Sequence, residues 1–428
     1  MPPTHQVAKL IHQHLRRKKQ HSPGFTLLKQ LVETLFFASI KTEESREVVC
    51  TIAVVTACDP AGDDPPQIRP HRRSYIPLST PIVLNTRTLT QFSQAASPWA
   101  SCVAVYAKRQ RFYICGFFDQ EIHYRNALNQ EGGSWFERPG LFQIEITGAG
   151  SLTVFDDRIL VTTLNQDAVI GTFHDVLNEG PIARILAKYI TATERRIRKQ
   201  LSDVLPRAYI DIYFGESATD VWLQMLSRVL LGIKRLKHGG ALLIIPAPNS
   251  ADLKIKYELV YDKTELVIAK RVANAVLENA AWFEIENYLE MQAEDVPTQY
   301  YLDETVASNE GRDAVQAEVG CANFIASLAG VDGLILMAGG LKVHGFGVEI
   351  TRRRDPDKVY AARGARIGKG NLRQVDFARF GTRHRSMMRY CYHHPGSIGF
   401  VISQDGDIRA MTRLPRGLVV WENVRLQK

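Results

Sequence analysis

The sequence predicts an α/β C-terminal domain, a mixed sheet covered by helices, preceded by an α+β, mostly β N-terminal domain. Two patterns lead there. From Val48 to about Gln166, short β-branched and aromatic runs are separated by Gly, Pro and Asn, which is how an antiparallel sheet reads. Beyond Pro206, short continuous apolar runs alternate with long helical periodicities, as expected of strands buried on both faces. At 428 residues and 45% hydrophobic content the chain can form two or three domains with real cores.

Residues 1–45 read as two helices broken at Ser22-Pro23-Gly24, with a basic knot at Arg16, Arg17, Lys18 and Lys19 that is the solvated end of the first helix. Residues 46–167 form the β-rich domain. Its strands are expected at Val48–Ala57, Val103–Tyr106, Phe112–Phe118, Leu141–Thr147, Ser151–Phe155 and Ile159–Thr163. Gly148-Ala149-Gly150 joins two of these runs with no helix opening after it, so it is a hairpin turn rather than a phosphate cradle. Residues 168–205 turn helical, with Ile182, Ile185, Leu186, Tyr189 and Ile190 at helical spacing, and form a helical link. Residues 206–428 make the last domain. Helices are expected over Ala218–Lys237, Glu265–Gln292 and Gly311–Ala329, and strands at Ala241–Pro246, Gly333–Met337 and Ser397–Ser403.

No run of about 18 apolar residues occurs and the N-terminal stretch lacks a signal-peptide pattern, so a cytoplasmic protein without membrane association is expected. Cys50, Cys58, Cys102, Cys115, Cys321 and Cys391 show no metal-ligand spacing, which fits reduced, buried thiols and excludes a structural zinc. The net charge is +8, and eleven Lys or Arg against three Asp between Arg352 and Arg385 hold an excess equal to that whole charge. So focused a field favours a polyanionic ligand. By itself, Arg352–Lys369 reads as a solvated basic loop. Nucleic acid is not expected as the partner, because no helix-turn-helix, zinc-finger or RNA-recognition signature supplies base contacts.

The basic segment ends in Gly381-Thr382-Arg383-His384-Arg385, forty-nine residues after Asp332-Gly333-Leu334. Guanidinium forks flanking an imidazole after a small-residue turn suit phosphate oxygens. Asp332 read alone is a turn or capping residue, and Arg383 and Arg385 read alone could pair with Asp376 or Asp405. His393-His394 before Pro395-Gly396 reads as a turn. Ser403 and Asp405 end a strand where ligands of open α/β sheets bind.

Three segments in order, Gly239-Gly240-Ala241-Leu242-Leu243-Ile244-Ile245, Asp332-Gly333-Leu334-Ile335-Leu336, and Gly381 to Arg385 followed by Gly399 to Ile408, resemble the diadenylate cyclase (DAC) domain. That family has a Gly-Ala-Leu-Ile strand, an Asp-Gly-Ala motif and Gly-Thr-Arg-His-Arg. The resemblance covers roughly Asp211 to Met411 and makes residues 206–428 a DAC-like nucleotide-binding domain. It implies condensation of two ATP into cyclic di-AMP, with release of pyrophosphate, at a metal-dependent site shared between facing subunits of a homo-oligomer. Asp332 would hold Mg²⁺ or Mn²⁺ and help activate the ribose 3′-hydroxyl, Gly333 would let the backbone approach the nucleotide, and Thr382, Arg383, His384 and Arg385 would hold the phosphates. Leu334, Gly381, Ser403 and Asp405 would line the nucleotide.

This chain departs from that pattern at Leu334, bulkier than the family's Ala where adenine is expected, and at Ser386-Met387. Its spacing of 92 residues between Gly240 and Asp332 is also long. Divergent relatives, the DAC-like sensor domains of DACNV type, recognise nucleotides without making them. The mixed β region before residue 205 is similar to that group. The alternative reading is therefore a non-catalytic sensor that binds ATP, a cyclic dinucleotide or a related second messenger and signals to a partner.

Overall fold

The computed structural model describes residues 1–18, 23–43, 46–55, 75–96, 101–119, 142–156, 159–171, 173–203, 205, 207–236, 238–246, 251–290, 296–368, 370–404 and 407–426. The chain divides into two compact units, residues 1–172 and 173–427, with Lys428 grouped with the first. The boundary falls inside the 168–205 stretch expected as a helical link.

In the first unit, α1 (Pro3–Arg17) and α2 (Phe25–Ser39) lead into β1 (Thr42–Glu43), β2 (Arg46–Glu47), β3 (Cys50–Val55) and β4 (Tyr75–Val83). Then follow α3 (Thr86–Ser93), β5 (Ser101–Lys108), β6 (Arg111–Asp119), β7 (Phe142–Gly148), β8 (Ser151–Asp156), β9 (Ile159–Asn165) and β10 (Ala168–Ile170). The main sheet runs β10-β9-β8-β7-β3-β5-β6-β4, antiparallel except for β3 beside β5. Val7, Ile11 and Leu15 recur every four residues on α1, and Leu28, Leu31 and Leu35 are spaced three and four residues apart on α2. These stripes bury against Ile52, Val103, Ile144 and Val154 in one core.

Asp156, almost fully buried at the end of β8, is 2.7 Å from both His14 Nε2 and Lys18 Nζ, fastening the C-terminal end of α1 to the sheet. The Gly148–Gly150 turn joins β7 to β8 as a hairpin, and the Gly150 N–H donates to Ser39 Oγ at the end of α2. The sequence patterns gave no warning of β4 or α3. β4 carries Pro77 and Pro81, which a strand tolerates at a sheet edge, where β4 lies. α3 is set by the capping box of Asn85 and Thr88.

The second unit holds α4 (Gly180–Leu201), α5 (Arg207–Arg235), β11 (Gly240–Ile245), β12 (Leu253–Lys254), β13 (Tyr257–Tyr261), α6 (Lys263–Glu290) and α7 (Thr298–Ser327). It continues with β14 (Leu334–Ala338), β15 (Val343–Ile350), β16 (Val359–Ala362), β17 (Leu372–Gln374), α8 (Thr382–His393), β18 (Ile398–Ile402), β19 (Ile408–Leu414) and β20 (Gly417–Trp421). Its mixed sheet is ordered β12-β15-β14-β11-β18-β19-β20-β16-β17, with β13 also on β15. Alternation explains the continuous apolar strands. Leu242, Ile244, Ile335 and Met337 enter a core with α4 to α7, whereas Ala241, Leu243, Leu334 and Leu336 enter a second core with Met387, Met388 and Tyr390 of α8. Ile182, Leu186 and Ile190 make α4 part of the first of these cores rather than a free linker.

α7 starts at Thr298, thirteen residues before the start that apolar periodicity suggested. Its first turns are polar and, apart from a contact of Tyr300 with Tyr288, bury mainly small residues such as Ala307, Gly311 and Ala314, so no apolar stripe marks them. Cys50, Cys102, Cys321 and Cys391 are buried thiols outside any disulfide, as expected, but Cys115 is disulfide-bonded, which departs from a wholly reduced set. Among the described residues, no helix is long and apolar enough to cross a membrane.

Three helices of the second unit are tied by a buried charge. Glu318 of α7, fully buried, meets Arg228 of α5 at 2.6 Å and Arg271 of α6 at 3.2 Å. Removing one member of a buried ion network strands the others. Glu318→Ala is therefore expected to lower stability by about 3–5 kcal/mol, read as a lower midpoint in denaturant unfolding of the full chain. A change below about 1 kcal/mol would show that the network contributes little.

Candidate functional site

One edge of the second sheet gathers the segments singled out in the sequence. β11 and β14 pair in parallel with Leu242 opposite Ile335, and this register carried back three residues sets Gly239 beside Asp332. On its other side β11 pairs antiparallel with β18, Gly240 opposite Ile402. Asp332-Gly333, Gly239-Gly240 and Ser403-Gln404 therefore share one edge. Two glycines are required there. Gly333 has φ +122° and a Cβ on it would fall 2.5 Å from the Gly347 carbonyl carbon. Gly239 has φ +74°, and its Cβ would lie 2.9 Å from Ile402 O and 3.0 Å from Arg383 Nη1. That last contact brings the Arg-His-Arg segment to the same edge.

α8 delivers it. Gly381 is the N-cap and offers no side-chain cap, and the first helical bond runs from the Arg385 N–H to Gly381 O. The N–H groups of Thr382, Arg383 and His384 therefore remain outside the intrahelical ladder, at the positive end of the helix. Thr382, Arg383 and Asp332 are exposed, while Arg385 is half-buried. Among the described residues neither Arg383 nor Arg385 has an ion pair, and the buried Arg385 Nε lacks a hydrogen-bond partner. Neighbouring cations differ: Arg389 meets Asp355 at 2.6 Å, Arg366 meets Glu179 at 3.1 Å and Arg379 meets Glu422 at 3.0 Å. Asp376 accepts from the Ala378 N–H and closes a short 3₁₀ turn instead of pairing with the two arginines.

His384 is positioned from behind. Arg409 Nη1 donates to its Nε2 at 3.0 Å, so the imidazole is an acceptor there and carries its proton on Nδ1. Burial, together with the charges of Arg409 and Arg383, pushes its pKa down to about 4. Arg409 Nε lies 3.5 Å from Glu422, which also holds Arg379, itself stacked over Phe380. The sequence reading missed Arg409, Glu422 and Arg379 as parts of this edge. Arg409 had a signal, since alternation between the buried Ile408 and Ala410 places it on the α8 face of the sheet.

The remaining expected residues are placed as follows. Leu334 is 6% exposed and packs in the core beneath α8, so its bulk lies inside the protein. Met387 also faces that core and fills the space over Gly399. The Ser403 hydroxyl accepts from the Asp407 N–H at 3.1 Å and closes the β18–β19 turn. Asp405 lies outside the described residues. The Arg352–Lys369 segment is not wholly solvated: Arg352 approaches Asp252 and His393, and Asp357 accepts from Tyr392. Among the described residues no group of three His, Cys, Asp or Glu converges as a metal cage, and Asp332 stands as a single exposed carboxylate. A lone carboxylate suits Mg²⁺ that takes its other ligands from phosphates and water.

The fold and this edge define a two-unit protein whose C-terminal α/β unit sets an exposed arginine and the N-terminus of α8 at one edge of its sheet. A family model described as "Probable sensor domain DACNV" matches residues 17–119, within the first unit. No curated protein matches the chain. The matched segment borders an open cleft of about 290 Å³ lined by Gln30, Thr34, Arg111 and the apolar Leu31, Leu84 and Phe112.

The His384 geometry sets a pH dependence. Its folded-state pKa of about 4 lies below the ordinary 6.5, so the unfolded chain takes up this proton first. Its contribution to stability is complete above pH 6.5 and is lost as pH falls from 6.5 to about 4. NMR titration is expected to give a His384 midpoint near 4, rising in Arg409→Gln. A midpoint near 6.5 in the parent would contradict the assigned contact.

Proposed function

We propose that the C-terminal unit binds ATP at this edge and condenses two ATP molecules into cyclic di-AMP, under the control of a sensor-type N-terminal unit. The carrying observation is that strand register sets Asp332 level with Gly239, and a Cβ on Gly239 would lie 3.0 Å from Arg383 Nη1, although the three residues lie far apart in the chain. In the reaction, the ribose 3′-oxygen of one ATP attacks the α-phosphorus of another, the bond to the β-phosphate oxygen breaks and pyrophosphate leaves. Two such steps close the ring.

The chain's own groups divide the work. The α8 N-terminus, Thr382, Arg383 and Arg385 hold phosphate oxygens and spread the charge that grows on them. His384, neutral and fixed by Arg409, can donate only from Nδ1. Asp332 would hold Mg²⁺ or Mn²⁺ and help activate the 3′-hydroxyl. The cation, when bound, would neutralise phosphate charge. Leu334 and Met387 face the core, so the two departures from the DAC pattern do not crowd this surface. Because each site binds one nucleotide, the reaction needs two copies face to face.

A second reading, a sensor that binds nucleotide without turning it over, is favoured by the DACNV match at residues 17–119. Purified full-length protein with ATP and Mn²⁺ or Mg²⁺ separates the two. Turnover is expected to release pyrophosphate and cyclic dinucleotide, and Asp332→Asn to lose about a hundredfold or more in rate. Saturable ATP binding with no product, with either metal and at any protein concentration, would establish the sensor reading instead.

A further inference from the structure

Charge in the second unit is split into two opposite blocks. Between Leu277 and Glu310 the chain carries nine Asp or Glu and no Lys, Arg or His, whereas 352–385 carries the +8 excess. The described residues of the acidic block, 277–290 and 296–310, cover the last turns of α6 and the first turns of α7. α6 contributes to the sheet-facing core as far as Val276, and α7 rejoins it at Cys321. Between those points the helices bury mainly small residues, Ala280, Ala281, Ala307, Gly311 and Ala314. Roughly 20 Å of α6, some fourteen residues, therefore lies beyond the core. Its outer surface is apolar as well as acidic: Trp282, Phe283, Leu289, Tyr301, Leu302 and Val306 are all exposed. Large aromatic side chains beside carboxylates make a surface suited to docking.

Like charge forbids two such ends from pairing with each other, so the complement must be basic. The same chain supplies it. Arg353, Arg354, Arg363 and Arg373 are exposed, and Arg373 stands on β17, the outermost strand of the sheet. None of the four has a carboxylate partner among the described residues, and no ion pair among them joins the acidic and basic blocks within one chain. We propose that the acidic end of the α6–α7 hairpin docks on the exposed arginines of residues 353–373 of a second copy, forming a salt-sensitive homo-oligomer. This interface stands whether or not the nucleotide edge is catalytic.

Sedimentation velocity on the full chain tests it with two variants that change only exposed side chains: Glu286→Lys/Glu290→Lys/Asp303→Lys on the hairpin and Arg353→Glu/Arg354→Glu/Arg373→Glu in the basic segment. The parent is expected to self-associate at low salt and to dissociate at high salt. Each variant, with circular dichroism and melting temperature like the parent's, should associate at least about tenfold more weakly. An equimolar mixture of the two should regain a complex, because the reversed charges are again complementary. A parent that stays monomeric at low salt would overturn the proposal and leave the acidic end to a foreign basic partner. So would a variant that associates like the parent, or a mixture that does not associate.

Discussion

The parallel pairing of β11 with β14, flanked by the antiparallel β18, is the constraint on which the candidate site depends. It alone brings Gly239 beside Asp332 and both beside the end of β18. The pairing needs close backbone approaches. Gly333 lies against the backbone of Gly347, and Gly239 against the Ile402 carbonyl, with no room for a Cβ at either. The small residues in these motifs therefore act first as packing requirements. Their use as an approach for a ligand follows from the same absence of side chains.

Around that edge the arginines fall into two sets. Arg389, Arg366, Arg379 and Arg409 have carboxylate partners and hold the framework. Arg383 and Arg385, one turn into α8, have none among the described residues. A buried donor such as Arg385 Nε without a partner costs about 1–3 kcal/mol, which a phosphate oxygen would relieve. His384 lies between the two sets: Arg409, itself beside Glu422, orients it through Nε2 and leaves its proton on Nδ1.

Much of this was legible in the sequence, for physical reasons that also explain the rest. Ala241–Ile245 and Leu334–Ala338 read as strands because both faces are apolar, and the Arg-His-Arg segment stood out because two guanidiniums beside an imidazole are a local signal. Leu334 was read through its motif as a bulky neighbour of adenine, although alternation with Leu336 already pointed it at the core. The contact of Arg409 with His384 joins residues 25 apart in sequence and needed the strand pairing to be known. The early turns of α7 were hidden because acidic, small-residue packing leaves no apolar stripe. Net charge concealed the acidic hairpin end, since it cancels against positive charge spread through the rest of the chain.

The central claim, that three separated segments form one phosphate-binding edge, is tested most directly by calorimetric titration of ATP into the full-length protein and its Arg383→Ala/Arg385→Ala variant. Saturable binding by the parent, weakened by about a hundredfold in a variant of unchanged melting temperature, is what the geometry requires, since two charge-assisted contacts are lost. Equal affinity in parent and variant would place any nucleotide elsewhere and contradict the account.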